Sequence, residues 1–79
     1  MATLRLFASA REAAGVDRVE IDGVTVAEVL AAARGRFGPA FERVLAGCKV
    51  WVNGEPAHDD DPLAKGDEVA VLPPVSGGS

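Results

Sequence analysis

The chain has 79 residues, with 12 acidic side chains against 8 basic ones and a formal net charge of −4. That is one small domain with no room for a second core or a conventional enzyme cleft, and its acidity disfavours nucleic-acid binding through a basic face. Hydrophobic residues make up 48% and charged residues 25%, the proportions of a folded domain rather than a disordered one.

From the start of the chain, residues 2–8 turn Leu4 and Leu6 to one side and Thr3, Arg5 and Phe7 to the other, which predicts a half-buried strand. Ser9 and Glu12 have the spacing of a capping box, so a short helix is expected over residues 10–14, closed by Gly15. Residues 16–22 alternate again, with Val19 and Ile21 inward, and predict a second strand antiparallel to the first.

The strongest helix signal follows Gly23. Thr25 and Glu28 form a second capping box, and Val24 is expected to staple onto Val29 across it. Val26, Val29, Leu30, Ala33 and Phe37 then recur at helical spacing until Gly38-Pro39 stops the helix. One or two further helical turns over residues 39–46 would point Phe41, Val44 and Leu45 inward.

Cys48, Val50 and Val52 alternate with Lys49, Trp51 and Asn53 as a third strand. Asn53-Gly54 is a hairpin turn whose returning strand is short, over residues 56–58. After the turn at Lys65-Gly66-Asp67, Val69 and Val71 alternate with Ala70 and Leu72 in the last strand, which Pro73-Pro74 ends. This order suits an α+β fold: a mixed sheet of four to five strands packed on one main helix. A β-grasp (ubiquitin-like) arrangement, with the first and last strands as parallel central neighbours, satisfies it. The pattern alone does not select it over other small α+β folds. The domain is expected over residues 1–74, with a flexible tail over 75–79.

Taken singly, the chemistry-bearing residues have plain readings. Cys48 is the single cysteine, which excludes an internal disulfide and a thiolate-rich metal site, and on an apolar strand it reads as a small core residue. His58 has no neighbouring ligand partner, and Asp59, Asp60 and Asp61 lack the spacing of a calcium loop, so a loop histidine and a solvated acidic loop are expected. No bound cofactor or metal is therefore anticipated. No stretch is long and apolar enough for a membrane helix, and no leader pattern opens the chain; the expectation is a cytoplasmic protein without membrane contact. Phe7, Trp51 and Leu72 fall opposite the core-facing strand positions. Phe7 and Leu72 read as partner-surface candidates, and Trp51 reads equally as covered or exposed.

The end of the chain carries more. Leu72-Pro73-Pro74-Val75-Ser76-Gly77-Gly78 follows Gly66-Asp67-Glu68-Val69, with Arg5-Leu6-Phe7-Ala8, Arg11-Glu12, Thr25-Val26 and Val52-Asn53-Gly54 upstream. In these features, over essentially its whole length, the chain resembles the MoaD/ThiS sulfur-carrier family, most closely its molybdopterin synthase small-subunit branch. The resemblance implies a cosubstrate that is not catalytic alone. An E1-like adenylyltransferase would use ATP to adenylate the carboxylate of Gly78, and a sulfur donor protein would convert it to a thiocarboxylate. The molybdopterin synthase large subunit would then take the sulfur.

Gly77 and Gly78, without side chains, would enter a narrow channel, and Pro73 and Pro74 would stiffen the base of the tail. Phe7, Leu72, Pro73, Pro74, Val75 and Ser76 would dock the partners. Ser79 departs from the family pattern, since it locks Gly78 in a peptide bond. An extra residue, a precursor awaiting trimming and a fusion junction all account for it, and the form carrying Ser79 is expected to be inactive until it is removed. The alternatives are a carrier feeding thiamine or cysteine synthesis, a ubiquitin-like protein modifier, and a binding module whose Ser-Gly-Gly-Ser ending is a linker.

Overall fold

The computed structural model describes residues 1–74. Five strands and three helices succeed one another: β1 (Ala2–Leu6), α1 (Ala8–Ala14), β2 (Arg18–Ile21), α2 (Val26–Phe37), α3 (Pro39–Leu45), β3 (Lys49–Val52), β4 (Glu55–Pro56) and β5 (Glu68–Leu72). The strands form one sheet in the order β2-β1-β5-β3-β4. β1 and β5 run parallel at its centre, with Leu4 opposite Val69 and Leu6 opposite Val71; the other pairings are antiparallel. This is the β-grasp arrangement.

Period-two alternation in β1 and β5 sends Ala2, Leu4, Leu6, Val69 and Val71 to one face, where they are buried. Val26, Val29, Leu30 and Ala33 of α2 bury the apolar stripe of that helix in the same core, and Phe41 and Leu45 of α3 complete it. Phe37 and Phe41 pack at 5.1 Å between ring centroids across the break at Gly38. Gly38 has φ 91°, and its N–H reaches the Arg34 carbonyl at 2.9 Å. Asn53 (φ 51°) and Gly54 (φ 86°) both adopt the left-handed region, as a two-residue hairpin between right-twisted strands requires.

Several local expectations are corrected. β1 ends at Leu6 and α1 begins at Ala8, with Phe7 at the N-cap and no side-chain capping bond. Ser9 is therefore already inside the first turn and cannot cap it; the Phe7 carbonyl instead accepts from Ala10 N–H at 3.1 Å. β2 is shorter than its alternation suggested, because the residues before Arg18 descend from the Gly15 cap. β4 spans Glu55–Pro56 rather than 56–58, since the two-residue turn starts pairing at once.

At α2, Thr25 Oγ1 accepts from Glu28 N–H at 3.2 Å, while Glu28 Oε1 accepts from Val24 N–H, one residue upstream of the reciprocal partner a capping box would use. Val24 is 65% exposed and does not staple. Gly23 takes that place: a Cβ there would stand 2.7 Å from Val29 Cγ2, so the glycine backbone itself covers Val29.

Candidate functional site

The face of the sheet away from the helices is assembled by register. Because Val69 and Val71 point into the core, Ala70 and Leu72 of β5 point outward. Opposite Leu72 in β3 stands Lys49, opposite Ala70 stands Trp51, and Trp51 in turn faces Pro56 of β4. Beyond Leu72, Pro73 and Pro74 cannot donate to a ladder, so pairing stops there. The result is a groove of about 470 Å³ lined by Lys49, Trp51, Leu72, Pro73 and Pro74, with the lysine as the single charge among the described residues that line it. It lies at the root of the C-terminal segment.

On the other side of β5, the Arg5 guanidinium sits 5.4 Å from the centroid of the Phe7 ring and 3.7 Å from Glu68 Oε2. Both members of that ion pair are about half exposed, so it contributes little to stability, and its value is in holding Arg5 across the sheet face. Phe7 is half-buried and is not among the groove-lining residues. Leu72 and Pro73 are half-buried and Pro74 is exposed. The structure thus brings three of the expected partner-surface residues together and sets Phe7 apart. Val75, Ser76, Gly77 and Gly78, with Ser79, lie outside the described residues.

Trp51, which the sequence left equally covered or exposed, lines the groove, and so does Lys49, which the sequence did not single out. The available signal was the outward phase of β3, which pairs them with β5 only once the strand order is known. The acidic loop also has a role that its composition did not indicate. The carbonyls of Asp59 and Asp61 accept from the N–H groups of Ala27 and Val26 at 2.8 and 3.1 Å, and so satisfy free donors at the start of α2. Carboxylates held near that helix N-terminus are favourably placed.

Cys48 is half-buried; its thiol donates to the Val44 carbonyl at 3.1 Å, and burial pushes its pKa up, which disfavours the nucleophilic thiolate. Among the described residues, no group of three or more His, Cys, Asp or Glu could hold a metal ion, and no helix is long and apolar enough to cross a membrane. An apolar groove of this kind, with one cation at its side, is suited to binding a surface.

The ThiS family model matches residues 4–78. The molybdopterin synthase sulfur carrier subunit of Chlamydomonas reinhardtii is 38% identical over 77 residues, which cover 91% of this chain and 92% of that protein. Small archaeal modifier protein 1 of Haloferax volcanii is 41% identical over 85 aligned residues, covering 94% of this chain and 97% of that one. A crystal structure of SAMP1 from Haloferax volcanii superposes with a TM-score of 0.81 at 41% identity and covers 98% of each chain.

Proposed function

The chain belongs to the ThiS family of ubiquitin-like sulfur carriers and modifiers, and from that premise we propose that it carries sulfur for molybdenum-cofactor biosynthesis. An E1-like enzyme adenylates the carboxylate of Gly78 with ATP in the cytoplasm. A sulfur donor protein exchanges the adenylate for sulfur, and the large subunit of molybdopterin synthase accepts that sulfur from the resulting thiocarboxylate. The chain itself binds no cofactor and acts as the small subunit of the synthase.

The observation that carries this reading is the groove of Lys49, Trp51, Leu72, Pro73 and Pro74 at the root of a Gly-Gly ending. A carboxylate is a poor acyl donor until one oxygen becomes a good leaving group, and adenylation supplies that. The chemistry then needs from this chain a docking face and a narrow acyl terminus; the partners bring the catalytic groups. With Ser79 in place Gly78 is held in a peptide bond, so the reacting form ends at Gly78. Phe7, Leu72, Pro73, Pro74, Val75 and Ser76 make the contacts that seat it.

Intact-mass measurement on protein from its own host tests the reading directly. A chain ending at Gly78 with sulfur in place of one oxygen is expected. A variant lacking Gly77 and Gly78 that still restored dithiolene formation in deficient cells would overturn it.

A second reading, conjugation to lysines of other proteins, is favoured by the 41% identity with a small archaeal modifier protein. Isopeptide-linked species carrying this chain in cell extracts would support it, and a thiocarboxylate without them would favour the carrier.

A further inference from the structure

The sheet has β2 at one edge and β4 at the other, and the two edges are not equivalent. β4 spans only Glu55–Pro56, and its proline has no N–H to offer, so that edge is blunt. β2 has four residues and no proline. Its pairing with β1 fixes which way its backbone points. Leu6 N–H donates to the Asp17 carbonyl at 2.9 Å, and the same register sets Leu4 opposite Val19 and Ala2 opposite Ile21. Hydrogen-bonded pairs recur at every second residue of an antiparallel ladder, so Asp17, Val19 and Ile21 bond to β1. The N–H and C=O groups of Arg18 and Glu20 therefore point the other way, out of the sheet edge.

Both residues are exposed, with side chains on the face away from the helices. Among the described residues neither has an ion-pair partner. Arg18 stands opposite Arg5 in the β1·β2 register, a like charge that adds no support. Val19, between them, turns to the core side but stays half-buried. The edge thus combines free backbone donors and acceptors, an uncompensated cation and anion on alternate residues, and an incompletely covered valine.

We propose that this edge pairs with the β2 edge of a second copy of the chain, antiparallel about a twofold axis at Val19. Because the free groups belong to Arg18 and Glu20, the bonded pair at the centre can be Arg18 with Arg18, Glu20 with Glu20, or Arg18 with Glu20. The first sets cations face to face and the second sets carboxylates face to face. The third puts each Arg18 against Glu20 of the second copy and each Val19 against its counterpart at the narrow, non-hydrogen-bonded site. It is self-complementary, as a twofold interface requires.

A four-residue strand covers far less than the roughly 1,000 Å² of a lasting interface, so the pairing is transient and forms in concentrated protein. Its consequence is an edge closed to strand addition by other chains. The contact is separate from the docking groove, which lies on β3 and β5 with β1 between it and the paired edge.

The full chain, followed from micromolar to millimolar concentration by sedimentation equilibrium and amide NMR, tests the proposal. Reversible dimers are expected, with concentration-dependent shifts at the Arg18 and Glu20 amides and none at Trp51 or Leu72. Arg18→Glu and Glu20→Arg should each weaken dimerisation about tenfold, since each makes both facing pairs like-charged. The double variant R18E/E20R should restore it, and a mixture of the two single variants should form the mixed dimer. Circular dichroism checks that these variants, all at exposed positions, stay folded. A monomer at millimolar concentration, shifts centred on Trp51 and Leu72, or a double variant no better than the singles would each overturn the proposal. So would β2 amides that shift only when the large synthase subunit is added, which would give the edge to a partner's strand. None of these outcomes decides the sulfur-carrier reading.

Discussion

The side-chain amide of Asn53 donates to Asp67 Oδ1 at 3.1 Å, and its Oδ1 accepts from the backbone N–H of Glu68 at 3.0 Å. One side chain thus joins the β3–β4 turn to the turn entering β5, at the end of the sheet away from the groove. Asp67 Oδ2 also accepts from Ala64 N–H at 2.8 Å. The bond from Ala64 first, and that from Asn53 second, hold the Asp67 carboxyl below its ordinary value.

The sign of the pH dependence follows. A carboxyl whose folded pKa is depressed contributes stability that is fully present above its unfolded value, about 3.9, and is lost as pH falls through the folded one. Asn53→Ala is expected to move the Asp67 pKa part of the way back up, as read by NMR titration of the side-chain carboxyl. An unmoved titration would remove the Asn53 bond as a cause.

Phe41 is fully buried where α3 closes the core. Phe41→Ala should cost about 3–5 kcal/mol in urea unfolding, much of what a domain of this size has. Trp51→Ala, on the half-buried outer face, should cost clearly less. Equal losses would mean that the outer face is part of the core.

Ala8 has φ 51° and Gly15 has φ 80°, so both ends of α1 use the left-handed region but only one has glycine there. Ala8→Gly relieves a steric cost of about 1–2 kcal/mol and loses part of it to chain entropy, for an expected net gain of up to about 1 kcal/mol. Gly15→Ala has open space for its methyl group and should still cost about 1 kcal/mol, because the penalty is in the backbone. Thermal melts of the two variants should shift in opposite directions.

Leu72→Asp places a charge in the groove while leaving Val69 and Val71 in the core. Binding to the proposed partners, the activating enzyme and the large synthase subunit, should weaken roughly tenfold or more, as loss of a central apolar anchor does. The fold should survive, checked by circular dichroism. The intrinsic fluorescence of Trp51, in the same groove, reports docking of the parent chain. Full affinity in a folded Leu72→Asp variant would take this residue out of the interface.

Much of the architecture could be read in advance because it is local. Val69 and Val71, or Val26, Val29, Leu30 and Ala33, reveal their buried faces by spacing alone, and Gly38-Pro39 and Asn53-Gly54 break the chain through their own backbone preferences. One boundary depends on a neighbour distant in sequence, and one cover on a close backbone approach. Phe7 rather than Ser9 opens α1, because β1 must stop where its pairing with β5 stops. Gly23 rather than Val24 covers Val29, because the backbone itself fits there.

What the residue order determined by itself is a strand-and-helix succession followed by a Pro-Pro pair and a Gly-Gly pair, since propensity, periodicity and side-chain size act over a few bonds. What only the tertiary structure decided is which residues share the outer face beside that ending. Lys49 meets Leu72, and Lys65 does not, because parallel pairing of β1 with β5 and antiparallel pairing of β3 with β5 set the strand order, and those hydrogen bonds join segments that the sequence holds far apart.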